Sequence, residues 1–398
     1  MELGIRASIE LVLCTIIKTQ PVSRATIAKI TGLSKPAVSE AVEKLINYHL
    51  ICELGISEIS RGRPPMMLSI NADAGVIVGI EADKISSKIG VSNLNGDLLS
   101  WSILPRIEDD PTVFLSKISQ ELNHIQEQYR STALGVVGIG FGILGSYDEK
   151  AGVIEYSANQ ASWAKYPLRL NLERLKPGIP VRVERNAQMG AMAEIAFGDV
   201  SNVGHLVYLS SSWGLGVGVL SEGSGGKYNL GRYTRFGHTT IQWNGQRCIC
   251  GNRGCLEEYA SVRTLFHSFY PDQEPSMGLF EELVKRYQNR EPEVTAAVRK
   301  LHGYLSIGAA NAINAYNPTH FCFGGLLPQL IDDDDLDRIQ EQVDSMLIPA
   351  HRQIIRLNKS QLGELGVLYG CFASVRENLA GNVMTGLDHA AAQHQSEP

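Results

Sequence analysis

One imidazole and three thiols fall within eighteen residues of this chain: His238, Cys248, Cys250 and Cys255, in the run GHTTIQWNGQRCICGNRGCLEEYAS that ends at Ser261. Soft sulfur and borderline nitrogen donors in that number suit a tetrahedral Zn²⁺ ion. Gly251 and Gly254 sit between the last two cysteines, where a backbone free of Cβ can turn tightly enough to bring Cys250 and Cys255 to one ion. Four protein ligands leave no open position for a reactive water, so such a metal is structural rather than catalytic. The competing reading is a set of unrelated buried thiols or a disulfide pair.

The rest of the chain sets the context for that cluster. Its 398 residues suggest two or three domains, and 44% apolar with 20% charged residues suits an ordinary soluble protein with a substantial core. No apolar run approaches the ~20 residues that span a bilayer, and Arg6 and Glu10 interrupt any secretory pattern. Seven cysteines, an odd number with four of them scattered, argue against a disulfide framework, so a cytoplasmic location is expected. The net charge of −6 is uneven: residues 1–72 carry +2 and the remainder −8. A mildly basic module on an acidic body is compatible with a DNA-binding head.

Local signals in that head are strong. Ile9, Val12, Leu13, Ile16 and Ile17 recur at helical spacing, and Pro21 ends the helix. Ser23 caps a short second helix, Thr31-Gly32-Leu33 makes a turn, and Ser34 caps a third with Pro36 in its first turn. Two helices joined by a glycine turn form a helix-turn-helix. The exposed face of the third helix offers Lys35, Ser39, Glu40, Glu43 and Lys44 to a major groove. Two strand-like runs follow, Leu50 to Leu54 and Met66 to Ile70. Between them Ser60-Arg61-Gly62-Arg63-Pro64-Pro65 reads as the cationic tip of a wing, with Arg61 and Arg63 suited to a narrow minor groove. The alternatives are a small bundle that docks another protein, or a solvated basic loop.

Beyond residue 73 strands alternate with helices, which predicts an α/β body. Gly75 to Glu81 and Lys88 to Asp97 read as a hairpin that ends in an Asn-Gly turn, and Ala133 to Phe141 as a buried strand. A strand at Val181 to Glu184 runs into a helix from Ala187 to Phe197. His205 to Leu209 and Leu215 to Leu220 open a second sheet. Asp332 to Asp335 reads as a solvated helix N-cap.

The stretch from Gly237 resembles the zinc signature of the ROK family (repressors, open reading frames and sugar kinases). His238, Cys248, Cys250, Gly251, Gly254, Cys255, Leu256, Glu257, Ala260 and Ser261 all fall in register with it. The Arg-Gly-Arg-Pro wing also resembles that of ROK repressors. The resemblance implies a two-lobed actin-like ATPase fold over residues 73–398, with a cleft between the lobes. It also implies that Val183 to Glu194 aligns with the segment carrying the kinase base. There the catalytic aspartate position is Asn186, and an amide cannot take a proton. Arg185 and Gln188 replace asparagines of the family pattern. Family kinases show Asp-x-Gly-Gly-Thr at their phosphate hairpin, where this chain has Glu81-Ala82-Asp83-Lys84-Ile85. Lost glycines put side chains where phosphates would pass, so sugar phosphorylation is not expected.

By the same resemblance, Asn159, Arg185, Asn186, Arg235, His238 and Glu257 line the ligand cleft, with Trp163 at a spacing from Asn159 seen near the sugar. Arg185 and Arg235 favour an anionic sugar derivative; alternatively they pair with Glu257 or Glu184 in a degenerate pocket. The sequence thus predicts a winged helix-turn-helix over 1–72. It predicts a first lobe over 73–185, completed by a C-terminal helix at 362–388, and a second lobe over 186–361 with one structural zinc. The expected protein is a transcriptional repressor of carbohydrate genes. It binds an operator in double-stranded DNA as a homodimer or dimer of dimers, and a sugar or anionic sugar derivative controls it. The alternatives are an active ROK sugar kinase and a regulator controlled by protein docking.

Overall fold

In the computed structural model, which describes residues 2–56, 65–157, 161–198, 204–222, 228–230, 235–352 and 354–383, local capping sets the head. Helix α1 (Glu2–Thr19) leads through a two-residue strand β1 (Val22–Ser23) into α2 (Arg24–Thr31), where the Ser23 hydroxyl accepts from the Thr26 amide. Gly32, at φ 71°, closes α2. The Ser34 hydroxyl then accepts from the Ala37 amide to start α3 (Lys35–Asn47). Strands β2 (Ile51–Ile56) and β3 (Met66–Ile70) complete a three-stranded antiparallel sheet in the order β1-β3-β2. Ile9, Val12, Leu13 and Ile16 of α1 pack with Val38, Val42 and Leu45 of α3, so the helical spacing read in the sequence is the buried stripe. The wing tip, including Arg61 and Arg63, lies outside the described residues, as does the frayed tail expected from His389 to Pro398.

The body holds two five-stranded sheets of matching topology. The first takes β4 (Val76–Glu81), β5 (Ser87–Asn93), β6 (Leu98–Leu104), β7 (Val136–Ile143) and, beyond the small hairpin β8 (Ser146–Asp148) and β9 (Val153–Tyr156), β10 (Val181–Arg185). Its order is β10-β7-β4-β5-β6, with β4, β7 and β10 parallel and β4-β5-β6 a meander. Strand β6 follows the expected Asn-Gly turn and adds a strand that the sequence reading lacks. The second sheet repeats the plan with β11 (His205–Ser211), β12 (Leu215–Glu222), β13 (Tyr228–Leu230), β14 (His320–Gly325) and β15 (Leu357–Lys359), in the order β13-β12-β11-β14-β15.

Strand β4 is buried throughout because helices cover both of its faces. Val76, Val78 and Ile80 pack with Phe114, Ile118 and Leu122 of α4 (Pro111–Gln128), whereas Ile77 joins Leu368 and Phe372 from the far end of the chain. Helix α5 (Leu168–Leu175) lies near β10. Helix α6 (Asn186–Phe197) lies against β11 and β12. The second lobe is finished by α7 (Glu257–Ala260), α8 (Val262–Phe269), α9 (Met277–Gln288), the long α10 (Pro292–Tyr316) and α11 (Asp333–Met346). Helix α12 (Gly366–Arg376) then returns to β4 and β7 of the first sheet and crosses α6. Its approach depends on missing side chains: a Cβ at Gly140 would meet the Cys371 carbonyl at 2.4 Å, and one at Gly370 the Met189 carbonyl at 1.9 Å. The α1–α3 stripe shares one apolar cluster with Phe372, Val375, Leu379 and Val383, so the head is seated on the helix that completes the first lobe.

The acidic run at 332–335 does cap α11, with Asp332 and Asp335 forming a reciprocal capping box. It is not solvated throughout. Asp335 is fully buried, accepts from the Tyr287 hydroxyl and pairs with Arg338.

Candidate functional site

The cysteine loop folds back on itself through its glycines. Gly251 and Gly254 have φ of 95° and 71°, and a Cβ at Gly254 would lie 1.8 Å from the Gln242 carbonyl. The Cys248 amide donates to Asn252 O and the Gly254 amide to Gln246 O, each at 2.8 Å. These turns gather the donor atoms of His238, Cys248, Cys250 and Cys255 to within 4.8 Å of one another. Cys248 Sγ lies 3.6 Å from His238 Nδ1, and Cys250 Sγ 3.7 Å from Cys255 Sγ. Tetrahedral ligands at zinc bond lengths stand about 3.6 Å apart for S and N and about 3.8 Å apart for S and S. The set therefore fits a four-coordinate divalent ion. All seven cysteines are free, which removes the disulfide reading. Burial pushes the Cys255 thiol up to about 11 and the Cys248 thiol higher still. A bound cation reverses that tendency, because a coordinating thiol is deprotonated outright.

His238 also lines a cleft between the two sheets, and two residues past Cys255 the chain delivers Glu257 to the same wall. Asn186 enters from the first turn of α6, Arg185 from the end of β10, and Arg235 from beside the cysteine loop. The cleft thus gathers Arg185, Asn186, Arg235, His238 and Glu257. Asn159 lies outside the described residues. Trp163 is not a lining residue: it is fully buried among Phe114, Tyr166 and Leu168, and its indole N–H donates to Glu108 O at 2.7 Å.

Of the pairings the sequence suggested, Arg185 stays beside Glu184, while Arg235 and Glu257 find other partners. Arg235 pairs with Glu155 at 3.4 Å, and Glu257 pairs with Arg263 at 3.5 Å while its Oε2 accepts from the Leu215 amide. Arg185 reaches Gln188 Oε1 at 3.4 Å, and its charge lowers the Glu184 carboxyl against the larger upward push of burial. Glu184 lines a separate cavity with Glu149 and Arg169, and Glu194 accepts from the Ser360 hydroxyl. Neither carboxylate lines the cleft. In the cleft itself, Asn186 Nδ2 donates to Ala82 O at 3.1 Å. Among the described residues, two buried acceptor atoms of the cleft have no hydrogen-bond partner, Asn186 Oδ1 and Asp83 Oδ2, whereas Glu257 Oε1 is the atom that faces Arg263.

An ion pair is buried at the end of the β4–β5 hairpin, beside the turn at 82–86. Lys88 Nζ lies 3.1 Å from Glu81 Oε2, and both side chains are buried. The two residues face each other in the β4–β5 register, a pairing that the hairpin predicted from sequence already implied. Burial pushes the Glu81 carboxyl up to about 7 while Lys88 draws it down. Burial alone would lower Lys88, but the Glu81 and Asp83 carboxylates outweigh it and raise it. Glu81 has a folded value above its ordinary 4.5, so it takes up a proton on folding, and its contribution to stability is lost as pH rises from about 4.5 to 7. Lys88→Met leaves Glu81 without its cation; the carboxyl then stays protonated, and forgoing its ionisation should cost about 1 kcal/mol at pH 7.5. Removing Lys88 raises Glu81 further, so the cost should shrink toward pH 5. Urea unfolding at both pH values checks this, and an equal cost at both would contradict it.

The head presents α3 as foreseen. Lys35, Glu40 and Glu43 are exposed and Ser39 half-exposed. Lys44 Nζ is held 3.0 Å from Glu40 Oε1, one helical turn away. Among the described residues no helix is long and apolar enough to cross a membrane.

A helix-turn-helix head on two sheets of repeated topology, with a cleft between them, defines a class of transcriptional regulators. The ROK family model matches residues 77–378, and the chain belongs to that family. The xylose repressor of Bacillus subtilis (strain 168) is 30% identical over 316 residues, covering 78% of this chain and 79% of that protein. A crystal structure of a ROK family transcriptional regulator, described as a homolog of E. coli Mlc, superposes with a TM-score of 0.73 at 23% identity, covering 96% of this chain and 97% of the other. A ROK glucokinase from Streptomyces griseus, solved with glucose and AMPPNP, superposes at 0.63 with 22% identity, over 75% of this chain and 98% of the enzyme.

Proposed function

We propose that this chain is a sugar-responsive transcriptional repressor whose kinase-like cleft binds a sugar without phosphorylating it. The observation that carries this reading is Asn186, which occupies the base position and is hydrogen-bonded to Ala82 O, in a chain that also carries a capped helix-turn-helix. A neutral sugar suits the cleft better than an anionic derivative. Its unsatisfied buried atoms are acceptors, which call for hydroxyl donors, and the Arg235 charge is already answered by Glu155. The named relatives make D-xylose the first sugar to test. The Cys₃His set holds one structural zinc that fixes His238 and Glu257 at the cleft wall. The head binds double-stranded operator DNA through α3 and the Arg61/Arg63 wing, as a homo-oligomer on a two-fold site. Residues 1–72 form the head, 73–185 with α12 the first lobe, and 186–361 the second.

No phosphotransfer is expected. With ATP, Mg²⁺ and D-xylose or D-glucose, a coupled assay should give no ADP above a no-protein blank. Asn186→Asp should stay inactive as well, because Asp83 and Lys84 still carry side chains at the positions of the two glycines in the family pattern. Turnover by the parent would support the kinase alternative instead. A sugar-induced rise in melting temperature together with release from an operator fragment tests the repressor reading directly, since a ligand that binds the folded state must stabilise it.

A further inference from the structure

Two hairpin turns hold equivalent places in the two sheets: residues 82–86 join β4 to β5, and residues 212–214 join β11 to β12. They meet across the cleft. Asp83 Oδ1 accepts from the Ser212 hydroxyl at 2.9 Å and from the Ile85 amide at 2.8 Å. Ile85 leaves its own lobe and is buried in the apolar cluster of the second, with Leu209 and Leu215. The turn is braced from behind, where the Ser87 hydroxyl bridges the Asp83 N–H and C=O at 3.0 Å each. In this chain a turn that in family kinases stays clear for phosphates has become a bolt between the lobes.

Asp83 is 2% exposed, yet among the described residues its second oxygen, Oδ2, has no hydrogen-bond partner. The Ser86 amide lies near enough to lower the carboxyl pKa, without completing a bond to that oxygen, while burial is the larger effect and raises it. A desolvated carboxylate oxygen without a donor is costly unless something else supplies one. Asp83 lines the same cavity as Asn186, whose Oδ1 is buried there and, among the described residues, likewise without a hydrogen-bond partner.

We propose that Asp83 is a ligand-specificity residue of this cleft: its Oδ2 accepts a hydroxyl of a bound sugar while its Oδ1 holds Ser212 of the opposite lobe, so that sugar binding tightens the 82–86 bolt and closes the lobes without a nucleotide. The inference rests on the sugar-responsive reading and adds to it a contact from the former phosphate side. A hydroxyl bonded to Oδ2 also orients the carboxylate toward Ser212. Occupancy is thereby transmitted to the relative position of the two sheets, and through α12 to the seat of the head.

The test uses the full chain and three probes: D-xylose, D-glucose and glucose 6-phosphate. Affinity is read by calorimetry, and hydrogen exchange is followed at the amides of residues 83–87. The parent should bind a neutral sugar and slow exchange in that segment. Asp83→Asn places an amide where the free oxygen was and should weaken binding roughly tenfold or more, the worth of one charge-assisted hydrogen bond. Ser212→Ala should keep more of the affinity but lose the sugar-dependent slowing. A parent that binds sugar as tightly as a folded Asp83→Asn variant overturns the inference and leaves the repressor reading intact. If Asp83→Asn does not fold, Ser212→Ala decides: slowing at 83–87 equal to that of the parent overturns the bolt. A parent that binds none of the neutral sugars sinks the sugar-responsive reading and this inference with it.

Discussion

Cys250→Ser should strip the metal from the second lobe and with it much of that lobe's stability. Freshly purified parent should carry one zinc per chain by metal analysis, and the variant far less. Apparent zinc-binding free energies in small structural sites are roughly 10–16 kcal/mol near neutral pH. Even half of that, about 5–8 kcal/mol, falls within the whole stability of an ordinary domain, about 5–15 kcal/mol. The variant should therefore melt much earlier, and a strong chelator should bring the parent toward the same behaviour. The effect should extend to the cleft. His238 belongs to both the thiol cluster and the cleft wall, and Glu257 follows Cys255 by two residues. Loss of the ion should thus weaken sugar binding as well. Cys14→Ser, in half-buried α1 away from the cluster, serves as the control and should change neither metal content nor sugar response. Equal zinc in Cys250→Ser and the parent would show that the four residues do not hold the metal together.

The second large effect is expected at the DNA. Lys35 and Ser39 lie on the first turns of α3, the end that a recognition helix points at base edges. Replacing either should alter which half-site is preferred, by about 1–3 kcal/mol for each bidentate hydrogen-bonded pair that the substitution removes. Lys44 is already tied to Glu40, so Lys44→Ala should matter less than Lys35→Ala. The wing should behave differently. Changing Arg61 and Arg63 together to alanine should weaken binding to all sequences and flatten the salt dependence, by about 0.9 in log–log slope for each phosphate no longer neutralised. The loss should be greatest on A·T-rich flanks if the arginines enter a narrow minor groove. Mobility-shift titrations against a selected operator, at several salt concentrations, separate the two roles. A double mutant indistinguishable from the parent at every salt concentration would remove the wing from the interface.

What could be read from the residues in order was what neighbours in sequence decide. Ser23, Gly32 and Ser34 fix the ends of α2 and α3 through bonds reaching three or four residues, so the head was legible. The cysteine loop is equally local: its donors lie within eighteen residues, and Gly251 and Gly254 take the positive φ values that the spacing called for. Asn186 needed only a register against the family motif. The electrostatics of the cleft were not legible, because they depend on pairings between residues far apart in the chain. Glu257 found Arg263, Arg235 found Glu155, and Trp163 went to the core of the first lobe. Asp83 read only as a side chain standing where a glycine of the family pattern would let phosphates pass. Only the closing of one sheet against the other set it on Ser212, 129 residues away, and drew Ile85 into the opposite core. Hydrogen bonds within a turn are specified by the turn's own residues, whereas a bond between lobes exists only once both sheets are packed, and packing is settled by apolar burial summed over the whole chain.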